Sequence, residues 1–203
     1  MILETIFRQS GTDKFTHGYG NVYQPFMEGF KDEPIQLCEI GVLRGNSLRA
    51  WKHYFSNAEI IGFDLHKFPN VEGVKIHKMN QLEKEEMYNL VETLEIEPSI
   101  VIEDGGHTPE MHQKTLLPFF KKLKSGGIYI IEDLQVCFKQ NRDLIKRYQV
   151  TDENNTITYL EKILTESPMK SPYLDESEEN YLRENIKSID FRLNRKVAII
   201  TKK

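Results

Sequence analysis

Five apolar stretches of strand length, alternating with segments of helical periodicity, constrain this 203-residue chain more than any other feature. They are Ile35 to Val42, Glu59 to Leu65, Val74 to Met79, Ser99 to Glu103 and Ile128 to Leu134, and each gives way to Gly, Asp, Asn or Pro. Runs of this length, rich in Ile, Val and aromatic residues, suit strands buried on both faces. Between them, Ser47 to Phe55 carries Leu48, Trp51, Tyr54 and Phe55 at helical spacing, and Glu83 to Leu94 places Met87, Leu90, Val91 and Leu94 on one side. Pro109 to Leu123 follows a capping Thr108 and stops at Ser125-Gly126-Gly127. Such alternation is the βαβ rhythm of a parallel sheet.

The end of the chain departs from this rhythm. Ile189 to Leu193 and Lys196 to Thr201 flank Asn194-Arg195, which reads as an antiparallel hairpin on a two-residue turn. Residues 138–186 carry no strand signal but hold two short amphipathic helices, around Ile157 to Leu164 and Glu178 to Ile186. This stretch is expected to be an insertion over the carboxyl edge of the sheet. From Lys139 to Pro172 an acceptor lid and plain surface decoration are both open readings. The length suits a single domain spanning 1–203.

A net charge of -4 and scattered lysines give no attraction to phosphate backbones, so nucleic acid is not an expected partner. Charge interrupts the first residues before a signal peptide can form, and no run approaches the roughly 18 apolar residues of a membrane span. Cys38 and Cys137, without a CxxC pair, read as reduced thiols. The expectation is a cytoplasmic protein without a membrane partner.

Chemistry is expected at the ends of the strands. After the first strand comes Glu39-Ile40-Gly41-Val42-Leu43-Arg44-Gly45-Asn46-Ser47, with two glycines four residues apart between strand and helix. Glycine there lets a ligand approach the backbone, although the same turn can be purely structural. GxGxxG is absent, which removes the best reason to expect NAD. Asp64 ends the second strand 23 residues beyond Gly41, where a carboxylate accepts ribose hydroxyls. Asn80 and Gln81 end the third strand as polar partners for a base edge. Glu39, Gly41, Gly45, Ser47, Asp64, Asn80 and Gln81 are therefore the candidate cofactor contacts.

The fourth strand runs into Glu103-Asp104-Gly105-Gly106-His107 and the fifth into Glu132-Asp133. Adjacent parallel strands lie about 4.8 Å apart, so Asp104, Glu132 and Asp133 would converge. Three carboxylates in one pocket repel one another unless a cation intervenes. All-oxygen ligation favours Mg²⁺, with Ca²⁺ or Mn²⁺ also open, and the bland reading is that these acids cap helices or bind ribose. His107 stands just ahead of the helix at Pro109, whose positive end disfavours imidazolium, and suits a general base. His53, His66, His77 and His112 lack this context and are assigned to packing or surface.

In order along the chain, Gly11-Thr12-Asp13-Lys14 with His17, Tyr19 and Tyr23, Glu39-Ile40-Gly41 through Gly45-Asn46-Ser47-Leu48, Trp51 with Tyr54-Phe55, Gly62-Phe63-Asp64, Asp104-Gly105-Gly106-His107, Gly126-Gly127-Ile128-Tyr129 and Ile131-Glu132-Asp133-Leu134-Gln135 resemble the metal-dependent sugar O-methyltransferases of the macrocin and mycinamicin type. The resemblance implies a Rossmann-like class I α/β fold, a mostly parallel seven-stranded sheet with a carboxyl-terminal antiparallel hairpin. It implies S-adenosyl-L-methionine as donor, Mg²⁺ at Asp104, Glu132 and Asp133, and His107 as base. It also suggests a homo-oligomer. Gly106 stands where this family usually has serine, and Val136-Cys137 where it often has Thr-Ser. The acceptor is accordingly expected to be a sugar hydroxyl of a natural-product glycoside, a surface polysaccharide or a nucleotide-linked sugar. A non-sugar diol, a phosphorylated metabolite, or a non-catalytic donor-binding module are the other readings. Residues 1–34 are read either as a flap over the cofactor or as plain amino-terminal helices.

Overall fold

The structure, a computed structural model, describes residues 2–66, 70–138, 140–165 and 168–203. Met1, Lys139 at the start of the expected lid, and residues 166–167 within it lie outside the described residues. The apolar runs form parallel strands β1 (Gln36–Ile40), β2 (Glu59–Asp64), β3 (Lys75–Lys78), β4 (Ile100–Glu103) and β5 (Ile128–Ile131). With β6 (Ile186–Arg192) and β7 (Val197–Lys202) they make one seven-stranded sheet in the order β3-β2-β1-β4-β5-β7-β6, in which β7 runs antiparallel to both neighbours. The strand order turns at β1 and β4, and a ligand crevice opens at that kind of switch point.

Both faces of the sheet are covered. On one, Cys38, Ile61, Val101, Tyr129 and Ile200 pack in a cluster with Met87, Leu116, Phe120, Leu160 and Leu182. These come from α4 (Lys84–Thr93), α5 (Pro109–Lys122), α7 (Thr156–Lys162) and α8 (Glu176–Asn185). On the other, Leu37, Ile60, Ile100, Ile130 and Ile199 pack with residues of α1 (Leu3–Ser10), α2 (Tyr19–Met27) and α3 (Asn46–Tyr54). Successive residues of a strand serve opposite clusters because strand side chains alternate. The amino-terminal pair of helices is fastened by aromatic contacts, with the Phe7 and Trp51 rings edge to face at 4.9 Å.

Three local expectations are corrected. The strand expected to run to Leu134 ends at Ile131, because Asp133 takes a left-handed φ of 56° and Leu134 begins a 3-10 turn to Cys137. The terminal hairpin turns not on two residues but on four, 193–196, with positive φ at Leu193, Asn194 and Arg195. Its first strand starts at Ile186, directly from the last turn of α8, whose start is fixed by a capping box between Asp175 and Glu178. The segment expected to cover the sheet edge contains α7, α8 and a six-residue helix, α6 (Arg142–Arg147). No helix among the described residues is long and apolar enough to cross a membrane.

Candidate active site

Strand register sets the site. Ile40 pairs with Glu103 and Glu103 with Ile131, so the next residue of each strand, Gly41, Asp104 and Glu132, emerges at one level on the carboxyl edge. A cleft of about 510 Å³ opens there, within the usual size for a small-molecule site. Gly41, Leu43, Asp64, Met79 and Asn80 line one part of it, and Asp104, Gly106, His107, Met111 and Asp133 line another, with Asp13 of the amino-terminal segment also present.

At the first part, Asp64 Oδ2 accepts the amides of Val42 at 2.8 Å and Leu43 at 3.2 Å, while Oδ1 accepts that of His66 at 2.9 Å. These bonds fix the carboxylate at the rim and tie the turn after β1 to the end of β2. Asn80 closes a turn by accepting the Leu82 amide at 3.1 Å and stays on the cleft wall. His66, assigned from sequence to packing or surface, also lines the cleft, because the chain bends there around the Asp64 carboxylate.

At the second part, single ligand atoms of Asp104, His107 and Asp133 all lie within 4.8 Å of one another. Asp133 Oδ2 is 3.7 Å from His107 Nε2, and Asp133 Oδ1 accepts from the Tyr19 hydroxyl at 2.8 Å and the Gln135 amide at 3.0 Å. Burial works to raise the Asp133 pKa, but the Gln135 bond, the His107 charge and the Tyr19 bond outweigh it and hold this carboxyl below its ordinary value. Both His107 and Asp133 have positive φ, 59° and 56°, a conformation that costs a non-glycine residue of order 1–3 kcal/mol. His107 Nδ1 is buried without a hydrogen-bond partner among the described residues.

The other expected ligand, Glu132, is placed differently. It is 1% exposed, and both its oxygens lie 2.8 Å from the ammonium of Lys14, which also contacts Asp104 Oδ2 at 2.7 Å and Glu39 Oε1 at 3.3 Å. The convergence found is thus Asp104 and Asp133 with His107, while Glu132 faces a lysine that the sequence reading left in a flap. Burial lowers the Lys14 pKa, but the charges of Asp104, Glu132 and Glu39 overcome it and hold the ammonium well above its ordinary value.

Three expected cofactor contacts sit behind the cleft. The Ser47 hydroxyl donates to Glu39 at 2.7 Å, and both residues are buried outside the described cleft lining. Gly45, at φ 71°, shapes the start of α3 instead. Gln81 lines the cleft, but its amide is committed elsewhere: Nε2 donates to Glu103 at 2.6 Å and Thr115 at 3.0 Å, and Oε1 accepts the Gly106 amide at 2.9 Å. Glu103, which sequence reading gave no role, accepts the Gly105 amide at 3.2 Å and stands 3.2 Å from His112 Nε2. This buried network braces the loop that carries Asp104 and His107.

Burial raises the Glu103 carboxyl to about 7 and lowers the His112 imidazole to about 3. In the unfolded chain the carboxyl ionises near 4.5, so the folded state retains a proton that the unfolded chain has lost. The stability from this group is full below pH 4.5 and declines as pH rises through about 7. Glu103→Gln keeps an acceptor for Gln81 and Gly105 and presents an amide to neutral His112. Urea unfolding at pH 5 and pH 8 should show the wild type losing about 3 kcal/mol more than the variant across that window; equal losses would remove Glu103 as the source.

No family model matches the chain. Over 141 residues it is 29% identical to 8-demethyl-8-alpha-L-rhamnosyl tetracenomycin-C 2'-O-methyltransferase of Streptomyces olivaceus, covering 63% of this chain and 36% of the relative. Over 132 residues it is 25% identical to mycinamicin VI 2''-O-methyltransferase of Micromonospora griseorubida, covering 61% and 33%. The methyltransferase MycE of the mycinamycin pathway, solved with Mg, SAH and mycinamycin VI, superposes with a TM-score of 0.78 at 20% identity, over 100% of this chain and 54% of that one. The chain spans about a third of the length of these curated relatives. It resembles the sugar O-methyltransferases in sequence, and its mixed seven-stranded sheet matches the fold of the solved methyltransferase.

Proposed function

We propose that a chain with this fold and this resemblance is an S-adenosyl-L-methionine-dependent, Mg²⁺-dependent O-methyltransferase acting on a sugar hydroxyl. The observation that carries the reading is the meeting of Asp104, Asp133 and His107 beside a cleft whose far wall is Gly41, Asp64 and Asn80. The glycine and the carboxylate suit the ribose end of the donor, as Asp64 lines the cleft and uses three of its roughly four acceptor positions on backbone amides. Phe63 and Met79 supply apolar wall for the adenine.

The donor set fits a hard divalent ion: two carboxylates of different strands, close enough to share it, with an unpartnered imidazole nitrogen alongside. Asp104 and Asp133 would hold Mg²⁺, and Glu132 would join them only by sharing its oxygens with Lys14. Bound there, the ion would supply Lewis-acid chemistry, making a sugar hydroxyl in the cleft easier to deprotonate. His107 receives the hydroxyl proton, and Asp133, 3.7 Å from its Nε2, stabilises the imidazolium that results. Tyr19 and Gln135 keep Asp133 ionised and aimed. The left-handed backbone at His107 and Asp133 puts both side chains in position before substrate arrives, so the protein works mainly by orientation.

A glycoside, a surface polysaccharide and a nucleotide-linked sugar remain acceptors of equal standing in this proposal. Free, buried Cys38 and Cys137 suit a reducing cytoplasm, and we infer a homo-oligomer without nucleic acid or membrane as partner. Methyl transfer from labelled donor to a panel of glycosides, nucleotide sugars and catechols tests the reading. Transfer to a sugar, abolished by chelator and recovered with Mg²⁺, is the expected result. Turnover indifferent to chelator, or confined to catechols, would overturn it.

A further inference from the structure

We propose that Lys14 is a built-in counter-ion of the acidic site: it holds Asp104 and Glu132 in register from the amino-terminal segment, so that the segment stays docked without a metal and depends on one only when the lysine charge is removed. The inference rests on the metal site proposed above and extends it to a residue that no metal-ligand pattern would include.

The lysine comes from a short 3-10 turn, Asp13–Phe15, yet its ammonium is 1% exposed and reaches the ends of three strands. Its partners are Asp104 at 2.7 Å after β4, Glu132 at 2.8 Å after β5 and Glu39 at 3.3 Å within β1. One cation thus ties the amino-terminal segment to the central strands at the level of the cleft. Removing one member of such a buried cluster leaves uncompensated charge, which is strongly unfavourable.

The arrangement also divides the donor atoms. Both Glu132 oxygens and Asp104 Oδ2 face the ammonium, whereas Asp133 is held by Tyr19 and Gln135. Asp104 is therefore the wall shared by two cation positions, one filled by Lys14 and one open to the cleft. Tyr19, on α2, makes the second tie from the same segment. Without Lys14, Asp104 and Glu132 would repel each other, and a divalent ion would be the remaining means of bringing them together.

Amide exchange over residues 2–30 measures this without reference to turnover. In the wild type these amides should be protected alike with chelator or with Mg²⁺. Lys14→Met, similar in length and uncharged, should exchange roughly 10²-fold faster in chelator, with much of the protection returning in Mg²⁺. The double variant Lys14→Met/Glu132→Gln, which removes the repelling partner too, should regain protection in chelator alone. Lys14→Met protected like the wild type in chelator, or a double variant no better than the single, would overturn the counter-ion role. If the single variant is deprotected and the double rescued while Mg²⁺ restores nothing, the counter-ion stands but the link to metal, and the metal site beneath it, falls.

Discussion

His107→Ala is expected to slow methyl transfer by roughly 10²–10⁴-fold while leaving donor affinity nearly unchanged. In the proposed mechanism the imidazole is the general base beside the carboxylate pair: Asp133 Oδ2 lies 3.7 Å from its Nε2, and Asp104 completes the group within 4.8 Å. The donor would rest against Gly41, Asp64 and Asn80, with which His107 shares the cleft without any bond between them in the structure. A loss in kcat with the donor Kd preserved, the latter read by calorimetry, separates the base from a binding residue. His107 sits between Gly106 and the cap of α5, where the Thr108 side chain accepts the Met111 amide at 3.1 Å, so truncation leaves the helix start intact. Unchanged turnover in the variant would remove the base assignment, whereas no turnover by the wild type with any acceptor would favour a donor-binding module.

Much of the scaffold was legible because its signals are local and repeated. Runs such as Ile100 to Ile102 and Ile128 to Ile131 are apolar at every position, which only a strand covered on both faces requires, and helices flank each one. That periodicity, with short connections, leaves little choice but a parallel sheet, and the sheet then puts the residues following β1, β4 and β5 on one edge. Asp104, Asp133 and His107 follow from this rule alone. The hairpin turn was harder: nothing in Leu193-Asn194-Arg195-Lys196 announces three successive left-handed residues, since Leu and Arg rarely adopt that conformation.

What escaped the sequence depends on long-range partners. Lys14 lies 90 residues from Asp104 and 118 from Glu132, in a polar stretch where a lysine ordinarily marks surface. Only the charge balance hints at it: Glu39, Asp104 and Glu132 at neighbouring strand ends demand positive charge, which a metal ion would answer as well as a lysine. Glu39 and Ser47 look like cofactor contacts because they bracket the glycine turn, but the outcome is set by which way each side chain points. Ile40 packs with one cluster, Leu37 with the other, and Glu39 falls among buried groups where Ser47 donates to its Oε2 and Lys14 faces its Oε1. Gln81 was read as a base-edge partner for its position after β3, whereas its amide is drawn inward by Glu103, an acid that pattern reading places in the β4 core.

Gly41→Ala should destabilise the fold by roughly 3–5 kcal/mol, the largest effect expected from adding a single methyl group to this chain. Gly41 has φ 90°, far from the backbone an L side chain accepts, and an added Cβ would overlap the carbonyl of Asp104 and crowd Gly105. The obstacle is backbone on both counts, so no rotamer change relieves it. Relief requires β1 and β4 to separate just where Asp104 N bonds Ile40 O at 2.9 Å, while Gly41 N is tied to Phe63 O of β2 at 2.8 Å on the other side. Separation would also carry Asp104 away from Asp133 and loosen the turn that Asp64 holds through the Val42 amide, so both parts of the cleft would fail together. Urea denaturation gives the stability loss, and calorimetric donor titration at low temperature, where enough of the variant stays folded, should show weakened binding. Alanine accepted at Gly41 without cost would mean that the junction of β1 and β4 is not packed as described, and the shared level of Gly41, Asp104 and Glu132 would lose its basis.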